Sequence, residues 1–368
     1  MEKYKGYIYL AHLCGCALEN KTPKKLPEGL EWKQIYNSAK YHSVANLAFF
    51  AIDKLENKPE KTIYLKWKET RDKVVVKLVS LDLERNEILA AFEKEHIPYM
   101  NLKGIILKNY YEKPEMRFMA DNDILYAEDY QKKVIAIMKR RGYKVENLKG
   151  NHDVYLKEPF YNYEMHRYLM NDFSEHRSYF EKVWDRVLKD EGNSYGYHMK
   201  DEDFYIYMTA HFYNHYSGSG SGIRSLIDIY VFLKKFESQL DWNYIYKELD
   251  ILSLTSFEKD MKNLSQNLFG EERLSTKQTE DFNYIIESGT YGNVENIVNN
   301  KVRSLKNSKY RYMLERLFPN RTFMKLHYKI LEKIPILLPV CYVLRLFKII
   351  NKWEFVKCEI YAVVNVKK

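Results

Sequence analysis

The tripeptide Asp121-Asn122-Asp123 runs directly into the apolar residues Ile124-Leu125-Tyr126, within a stretch from Arg117 to Tyr126 that reads as a β-strand. Side chains two apart on a strand point the same way, so the two carboxylates leave from one face. A fold that buries this strand must bring positive charge to that face, because two like charges in a dry interior repel and lose their hydration. A divalent ion meets the demand: Mg²⁺ binds carboxylate oxygens and fills its other positions with water and substrate phosphate. A strand end turning into a solvated loop is the plainer explanation of the same three residues.

The hydrophobic period on either side decides what the strand belongs to. Up to about residue 95 the pattern is helical, with Ile35, Ala39, Val44, Leu47 and Ala51, and then Val75, Leu78, Leu81, Leu83 and Ile88. Pro23, Pro27 and Gly29 mark a loop between helices. The period then changes. His96–Leu102 reads as a strand, Gly104–Tyr111 as a helix, and Glu128–Arg140 as an amphipathic helix closed by Gly142. His152–Lys157 and Tyr161–Leu169 are further strands, separated by Pro159. From Asp201 the chain is helical again, to Tyr216 and from Ile223 to Phe236, with the alternation Ser217–Gly222 between them expected to be mobile. The expected class is α+β, a small mixed-sheet core embedded between helical N-terminal and C-terminal regions. The expected segments are a helical 1–95, the core 96–200, a helical domain 201–310, and a basic, partly amphipathic 311–368.

Leu102-Lys103-Gly104 falls where a strand hands over to a helix. Free backbone N–H groups there, with a glycine permitting close approach and Lys103 adding a point charge, suit a phosphate. A phosphate cradle followed by a carboxylate pair is the minimal equipment for metal-assisted phosphoryl or nucleotidyl transfer.

These residues, with Tyr111, Pro114, Arg117 and Asp121-Asn122-Asp123-Ile124-Leu125 after them, resemble the signature of the uncharacterised bacterial nucleotidyltransferase family of the polymerase-β-like superfamily. The resemblance continues through His152, Glu164-Met165-His166, His211, His215, Arg224, Asp228, Leu317-Phe318-Pro319 and Leu338-Pro339. It implies a nucleotidyltransferase core in which Asp121 and Asp123 hold catalytic Mg²⁺ (Mn²⁺ as a substitute) together with a third carboxylate from an adjacent strand. Glu164 is chosen for that place, since His166 shares its face; Asp153 and Glu158 compete. The implied reaction moves an NMP group from an NTP, ATP first, to an unidentified hydroxyl, with Lys103, Gly104 and Arg117 at the phosphates. Arg117 has a second possible task, neutralising the carboxylates. One departure stands out. Relatives carry Gly-Ser or Gly-Gly about ten residues before the acidic pair, whereas here Lys-Gly-Ile replaces it and Gly104 lies 17 residues before Asp121.

Other candidates are weaker. His211 and His215 share a helix face at a spacing that binds zinc, but Phe212 stands where a metalloprotease would have Glu. Packing of a helix on the core explains them as well, and Arg224 with Asp228 reads as a helix-stabilising pair. His152-Asp153 matches the dipeptide of metal phosphohydrolases but sits in a strand. Cys14 and Cys16 with His12 form a poor zinc pattern without a second cysteine pair. A catalytically silent nucleotide- or RNA-binding module is the second function class, and a His-Asp phosphohydrolase the third.

The formal charge is +9, but residues 301–368 hold 16 Lys+Arg against 4 Asp+Glu, a balance of +12, so the rest of the chain sums to −3. A nucleic-acid reading of the net charge therefore concerns that segment alone. Within it Phe323, Leu326, Ile330, Leu331 and Ile334 recur at helical spacing, with Lys325, Lys329 and Lys333 opposite. Such a helix docks on its own protein, or touches a membrane surface or RNA. Four cysteines suit a reduced, cytoplasmic compartment. Lys3 and Lys5 before Leu13-Cys14-Gly15-Cys16 imitate a lipoprotein box, but Tyr7, Tyr9 and His12 interrupt its apolar run, so a buried first helix is expected. The longest apolar stretch, Ile334–Ile350, is broken by Pro335, Pro339, Arg345 and Lys348 and falls short of a transmembrane span.

Overall fold

The inward residues of the longest helix, Trp67, Val74, Leu78, Leu81, Arg85, Ile88 and Phe92, fall seven, four or three apart. That spacing keeps one stripe on one side. The helix is α4 (Lys61–Lys94) in the computed structural model, which describes residues 4–148, 150–350 and 353–366, and it follows α1 (Lys5–Leu18), α2 (Trp32–Tyr41) and α3 (Ala45–Ile52). Leu83, expected inside, is exposed, and Val74 rather than Val75 faces inward. His96, in the left-handed region at φ 57°, ends α4, and the Ile97 amide returns to the Phe92 carbonyl. This turn delivers the chain into the sheet.

The sheet contains β1 (Tyr99–Asn101), β2 (Asn122–Tyr126), β3 (Lys144–Asn147), β4 (His152–Lys157), β5 (Tyr161–His166), β6 (Leu188–Lys189) and β7 (Gly196–His198), in the spatial order β3-β4-β5-β2-β1-β7-β6. β2 lies parallel to β5 and antiparallel to β1. Its pairs with β5 are Asn122 with Tyr163, Asp123 with Glu164, Ile124 with Met165 and Leu125 with His166. β4 runs antiparallel to β5, with His152 opposite His166 and Asp153 opposite Met165. Paired residues share a face, so Tyr99, Ile124, Tyr126, Tyr155, Tyr163 and Met165 form one side. They pack on Leu78, Leu81, Ile88 and Phe92 of α4 and on Val134, Ile137 and Met138 of α6 (Gln131–Arg140). The tyrosines anchor this face with their hydroxyls as well as their rings: Tyr163 Oη donates to the Leu81 carbonyl at 3.0 Å. Asp123, Glu164, His166 and His152 occupy the opposite side. The architecture is α+β, with helices flanking a mixed sheet.

Several boundaries differ from the sequence reading: the strands expected over His96–Leu102 and Tyr161–Leu169 shorten to Tyr99–Asn101 and Tyr161–His166. The ladder begins at Asn122, so Asp121 stands one residue ahead of the strand and residues 117–120 lie outside it. The helix expected over Gly104–Tyr111 is a single turn, α5 (Gly104–Leu107), continued by a 3₁₀ turn in which buried Lys108 pairs with Asp82. A 3₁₀ turn likewise takes the first three residues of the helix expected from Glu128. β3, β6 and β7 had no signal because they are short and mostly polar.

One unit comprises Met1–Asn214 and Gly222–Ile286. Besides the elements above it contains α7 (Arg177–Phe180), α8 (Asp201–Tyr216) up to Asn214, α9 (Ile223–Phe236), α10 (Trp242–Ile251), α11 (Thr255–Phe269) and most of α12 (Thr276–Ser288). α1 is the buried helix expected, with Leu10, Leu13 and Cys14 fully enclosed. The second unit, His215–Ser221 with Glu287–Lys368, holds α13 (Val294–Ser304), α14 (Lys309–Leu317), α15 (Arg321–His327), α16 (Ile330–Lys333), α17 (Leu338–Ile350) and α18 (Trp353–Asn365). The Ser-Gly alternation is tied down rather than loose. The Gly218 and Gly220 amides donate to the His215 carbonyl, and Asn300 Nδ2 donates to the carbonyls of Tyr216 and Gly218. At Gly220, φ +95°, a Cβ would come within 2.2 Å of Ser288 Oγ, so glycine serves close approach here. The stripe expected over 323–334 is split between α15 and α16: Met324 and Leu331 are buried, Ile330 and Ile334 are exposed, and the side chain of Leu326 lies outside the described residues.

Asp153 is fully buried on the tyrosine side, accepting from Tyr126 Oη at 2.8 Å, Gln131 Nε2 at 3.2 Å and Arg167 Nη2 at 3.3 Å. Asp153→Ala strands these donors and is expected to cost ~1–3 kcal/mol in urea unfolding.

Candidate active site

Sheet register builds the site. Because β2 and β5 are parallel with Asp123 opposite Glu164, two carboxylates from distant positions in the chain meet on one face. Asn122, between the two aspartates, points the other way and accepts from Arg85 of α4 at 3.2 Å. The acidic tripeptide thus divides its side chains between two environments.

Positive partners converge on Asp123. Lys103 Nζ lies 3.1 Å from its Oδ1, and His166 Nε2 reaches the same oxygen at 2.7 Å. His166 Nε2 also lies 3.6 Å from Glu164 Oε2, and His152 Nε2 lies 3.6 Å from that same oxygen. Lys103 takes φ 41°, ψ −111°, a left-handed conformation uncommon for a residue with a side chain, at the point where β1 turns into α5. The Leu102 amide, bonded to the Asp123 carbonyl at 3.0 Å, ties that turn to β2.

Electrostatics separates the carboxylates. Burial raises Asp121, and the charges of Asp123 and Glu164 push it further, to about 6, against Lys103 and Arg224. Burial acts on Asp123 in the same sense, but Lys103 and His166 outweigh it and hold this carboxyl well below the usual range. Glu164, also opposed by burial, is lowered by its hydrogen bond to His166. Lys103 would lose its proton more readily through burial, yet Asp123 keeps it charged. His166 resists burial and Lys103 through Asp123 and Glu164, and is raised. His152 is lowered, by burial and then by His166.

Several polar atoms here have no protein partner although they are buried: His166 Nδ1, His152 Nδ1 and the hydroxyl of Tyr207. Tyr207 reaches the site from α8 and feels the charges of Lys103, Asp123 and Glu164. Buried orphans of this kind call for a ligand, ion or water. His152, Glu164 and His166 also bring one ligand atom each within 4.8 Å of one another.

The remaining predicted residues have other partners, although Arg117 also feels the charge of Asp121. Arg117 is buried, and its Nε and Nη2 donate to Asp228 Oδ1 and Oδ2, both at 2.8 Å, with Tyr111 Oη on the same carboxylate at 2.7 Å. Asp228 therefore serves Arg117, and Arg224 donates to the Phe118 carbonyl at 3.5 Å. Gly104 is glycine for packing: a Cβ there would lie 2.4 Å from Arg117 Nη1. Asp153 is on the opposite sheet face from His152, since neighbours on a strand alternate, so the two cannot act as a phosphohydrolase dipeptide. Glu158 is exposed in the β4–β5 turn. His211 packs beside Tyr207, ring centroids 6.0 Å apart, and the His215 carbonyl receives Gly218 and Gly220. The other ligand-type grouping among the described residues is His12, Cys16 and Glu271. There His12 Nε2 accepts the Lys24 amide at 2.9 Å while Nδ1 meets Glu271 Oε1 at 3.1 Å, and burial pushes the Cys16 thiol up to about 11. Both ring nitrogens are taken, which leaves this cluster a set of hydrogen bonds rather than a cation site.

Sequence reasoning missed Tyr207 and Lys77. Lys77, on α4, donates to the Ala120 carbonyl at 3.0 Å, next to Asp121, and packs 5.3 Å from the Phe118 ring centroid. Neither residue belongs to a local motif.

A family model described as an uncharacterised nucleotidyltransferase matches residues 28–270, a span that holds Lys103, Asp121, Asp123, Glu164, His166 and Tyr207. No curated protein and no solved structure matches the chain.

Arg117→Ala would leave Asp228 buried without its cation and is expected to cost ~3–5 kcal/mol in denaturant unfolding. The double variant Arg117→Ala/Asp228→Ala should recover part of that loss, which a residue serving only a substrate phosphate would not show.

Proposed function

The chain belongs to this uncharacterised nucleotidyltransferase family, and we propose that it moves an NMP group from an NTP, ATP first, onto a hydroxyl acceptor, with Mg²⁺ or Mn²⁺ bound at Asp121, Asp123 and Glu164. The observation that carries the reading is the register of β2 on β5, which sets Asp123 opposite Glu164 beside a carboxyl, Asp121, that is destabilised when charged. Carboxylate oxygens are the hard ligands that Mg²⁺ and Mn²⁺ select, although the ligand atoms that lie within 4.8 Å of one another at this site belong to His152, Glu164 and His166, and the orphaned polar atoms there fit a polar ligand. A bound divalent ion would stabilise charge on phosphoryl oxygens and acidify the acceptor hydroxyl.

The chain's own groups do the rest. Lys103 places its ammonium beside Asp123, where phosphate oxygens approach. His166 keeps a proton at Nε2 between Asp123 and Glu164 and fixes both carboxylates. Tyr207, buried on the α8 side, keeps water out and offers its hydroxyl as a donor. The acceptor oxygen bonds to the α-phosphorus as the bond to pyrophosphate breaks, and the hydroxyl proton passes to Glu164, the more exposed member of the cross-strand pair. A silent nucleotide-binding module has one observation in its favour: Lys103 and His166 already neutralise Asp123 without any ion.

Incubation with α-labelled NTPs, Mg²⁺ or Mn²⁺ and a pool of cell hydroxyl acceptors separates the two readings. Metal-dependent pyrophosphate release with label transfer is expected, falling at least ~100-fold in Asp123→Ala. Nucleotide binding that ignores metal, with no pyrophosphate, would establish the silent module instead.

Asp121 supplies a pH test. Its folded pKa is raised from 3.8 to about 6, so the folded state binds this proton more tightly than the unfolded chain. Its contribution to stability is therefore lost as pH rises between those values. At neutral pH the charged group is a liability that a divalent cation relieves. Asp121→Asn is expected to raise the Tm of the metal-free protein by ~2 °C or more while abolishing the further rise on adding Mn²⁺. In the wild type, Mn²⁺ affinity measured calorimetrically should be roughly tenfold weaker at pH 5 than at pH 7, as protons compete for the carboxylate.

A further inference from the structure

The last helices of the second unit carry their polarity the wrong way round for a segment facing only water. α15, α16 and α17 close on a small core of Met324, Leu331 and Cys341. The two described cations of α17 turn to aromatic rings beside that core. The Arg345 guanidinium sits 4.9 Å over Phe323 and donates to the Arg316 carbonyl at 3.3 Å, and Lys348 Nζ sits 4.8 Å over Tyr328. The outer face belongs to Val340, Val343, Leu344 and Phe347, at i, i+3, i+4 and i+7, with exposures of 53, 52, 48 and 64%. Ile336 precedes it at 84%, and Ile330, Ile334 and Trp353 are also exposed. Water-soluble surfaces scatter such residues singly; a helix face made of them is an interaction surface.

Charge selects the occupant. No Asp or Glu occurs between Glu332 and Glu354, and residues 301–368 carry a balance of +12. A second copy would bring the same cationic surface against itself, which opposes pairing through this face. RNA would meet the charge, but it is gripped by aromatic stacking platforms, and this face is mostly aliphatic. An apolar helix face in a segment that also exposes Lys329, Lys333 and Lys348 and has no acidic residue between Glu332 and Glu354 matches an anionic bilayer, where the aliphatics enter the acyl boundary and the cations meet headgroups. No helix among the described residues is long and apolar enough to cross a membrane, so the contact would lie along the surface. We propose that the face Val340–Val343–Leu344–Phe347 of α17 docks the protein on an anionic lipid surface.

Co-sedimentation of the full-length chain with phosphatidylcholine vesicles, and with vesicles of three parts phosphatidylcholine to one of phosphatidylglycerol, tests it. Partitioning is expected to be at least ~10-fold stronger on the anionic vesicles and to weaken markedly between about 0.1 and 0.5 M NaCl, as a polybasic amphipathic contact is screened by salt. The double variant Val343→Glu/Phe347→Glu changes two exposed side chains, so circular dichroism should be unchanged while partitioning drops at least ~10-fold. Absence of anionic-vesicle binding, or equal binding by the variant, would overturn the proposal. So would an RNA affinity or a dimer, seen by light scattering, that the variant loses while its vesicle binding persists.

Discussion

Asp123 is a carboxylate buried in the middle of a sheet, and much of the local structure answers that one cost. Charge without solvation is tolerated only where cations and hydrogen-bond donors replace water. Lys103 and His166 both converge on the same oxygen of Asp123, one from the turn after β1 and one from the end of β5. The strained backbone of Lys103 and the tie between the Leu102 amide and the Asp123 carbonyl follow from the need to deliver that ammonium. Glu164, opposite Asp123, shares His166, whereas the charges of Lys103 and Arg224 do not offset burial and the two neighbouring carboxylates at Asp121. Its raised pKa is the mark of an arrangement that neutralises Asp123 well and leaves Asp121 buried beside two like charges.

The segment between α5 and β2 is held by a second buried ion pair. Arg117 binds Asp228 of α9 through two hydrogen bonds, and Gly104 has no side chain because the guanidinium occupies that space. The bidentate geometry makes this an Arg site that Lys would not fill. It fixes the approach of residues 118–121 to β2, so a charge that looks available for substrate in the sequence is spent on position. Asp153 has the same character on the sheet face opposite to Glu164 and His166, where Tyr126, Gln131 and Arg167 absorb its charge.

The α+β class, the strands carrying Asp123 and Glu164, and helices 201–216 and 223–236 were legible because apolar periodicity is a local property. Leu102-Lys103-Gly104 and the acidic tripeptide were legible as chemistry because strand alternation fixes which neighbours share a face. Helix ends were less so: Gly104–Tyr111 shortened to one turn where Lys108 found Asp82, a partner 26 residues away. The Ser-Gly alternation misled because composition signals freedom, whereas Gly220 admits the side chains of Ser288 and Asn296, and Gly292, outside the alternation, admits Ser219.

By itself the sequence determined that Asp121 and Asp123 demand positive charge, that Glu164 and His166 share a face, and that the basic excess belongs to the final 68 residues. Those are statements about nearest neighbours and counts. Only the tertiary structure decided which cation meets which carboxylate: Lys103 and His166 for Asp123, Arg117 for Asp228, Arg167 for Asp153. It also decided that Tyr207 faces the acidic centre and that the apolar side of α17 faces outward. The physical reason is common to all of these. A buried charge or an apolar face specifies the kind of partner it needs, while register and packing between distant segments choose which residue supplies it.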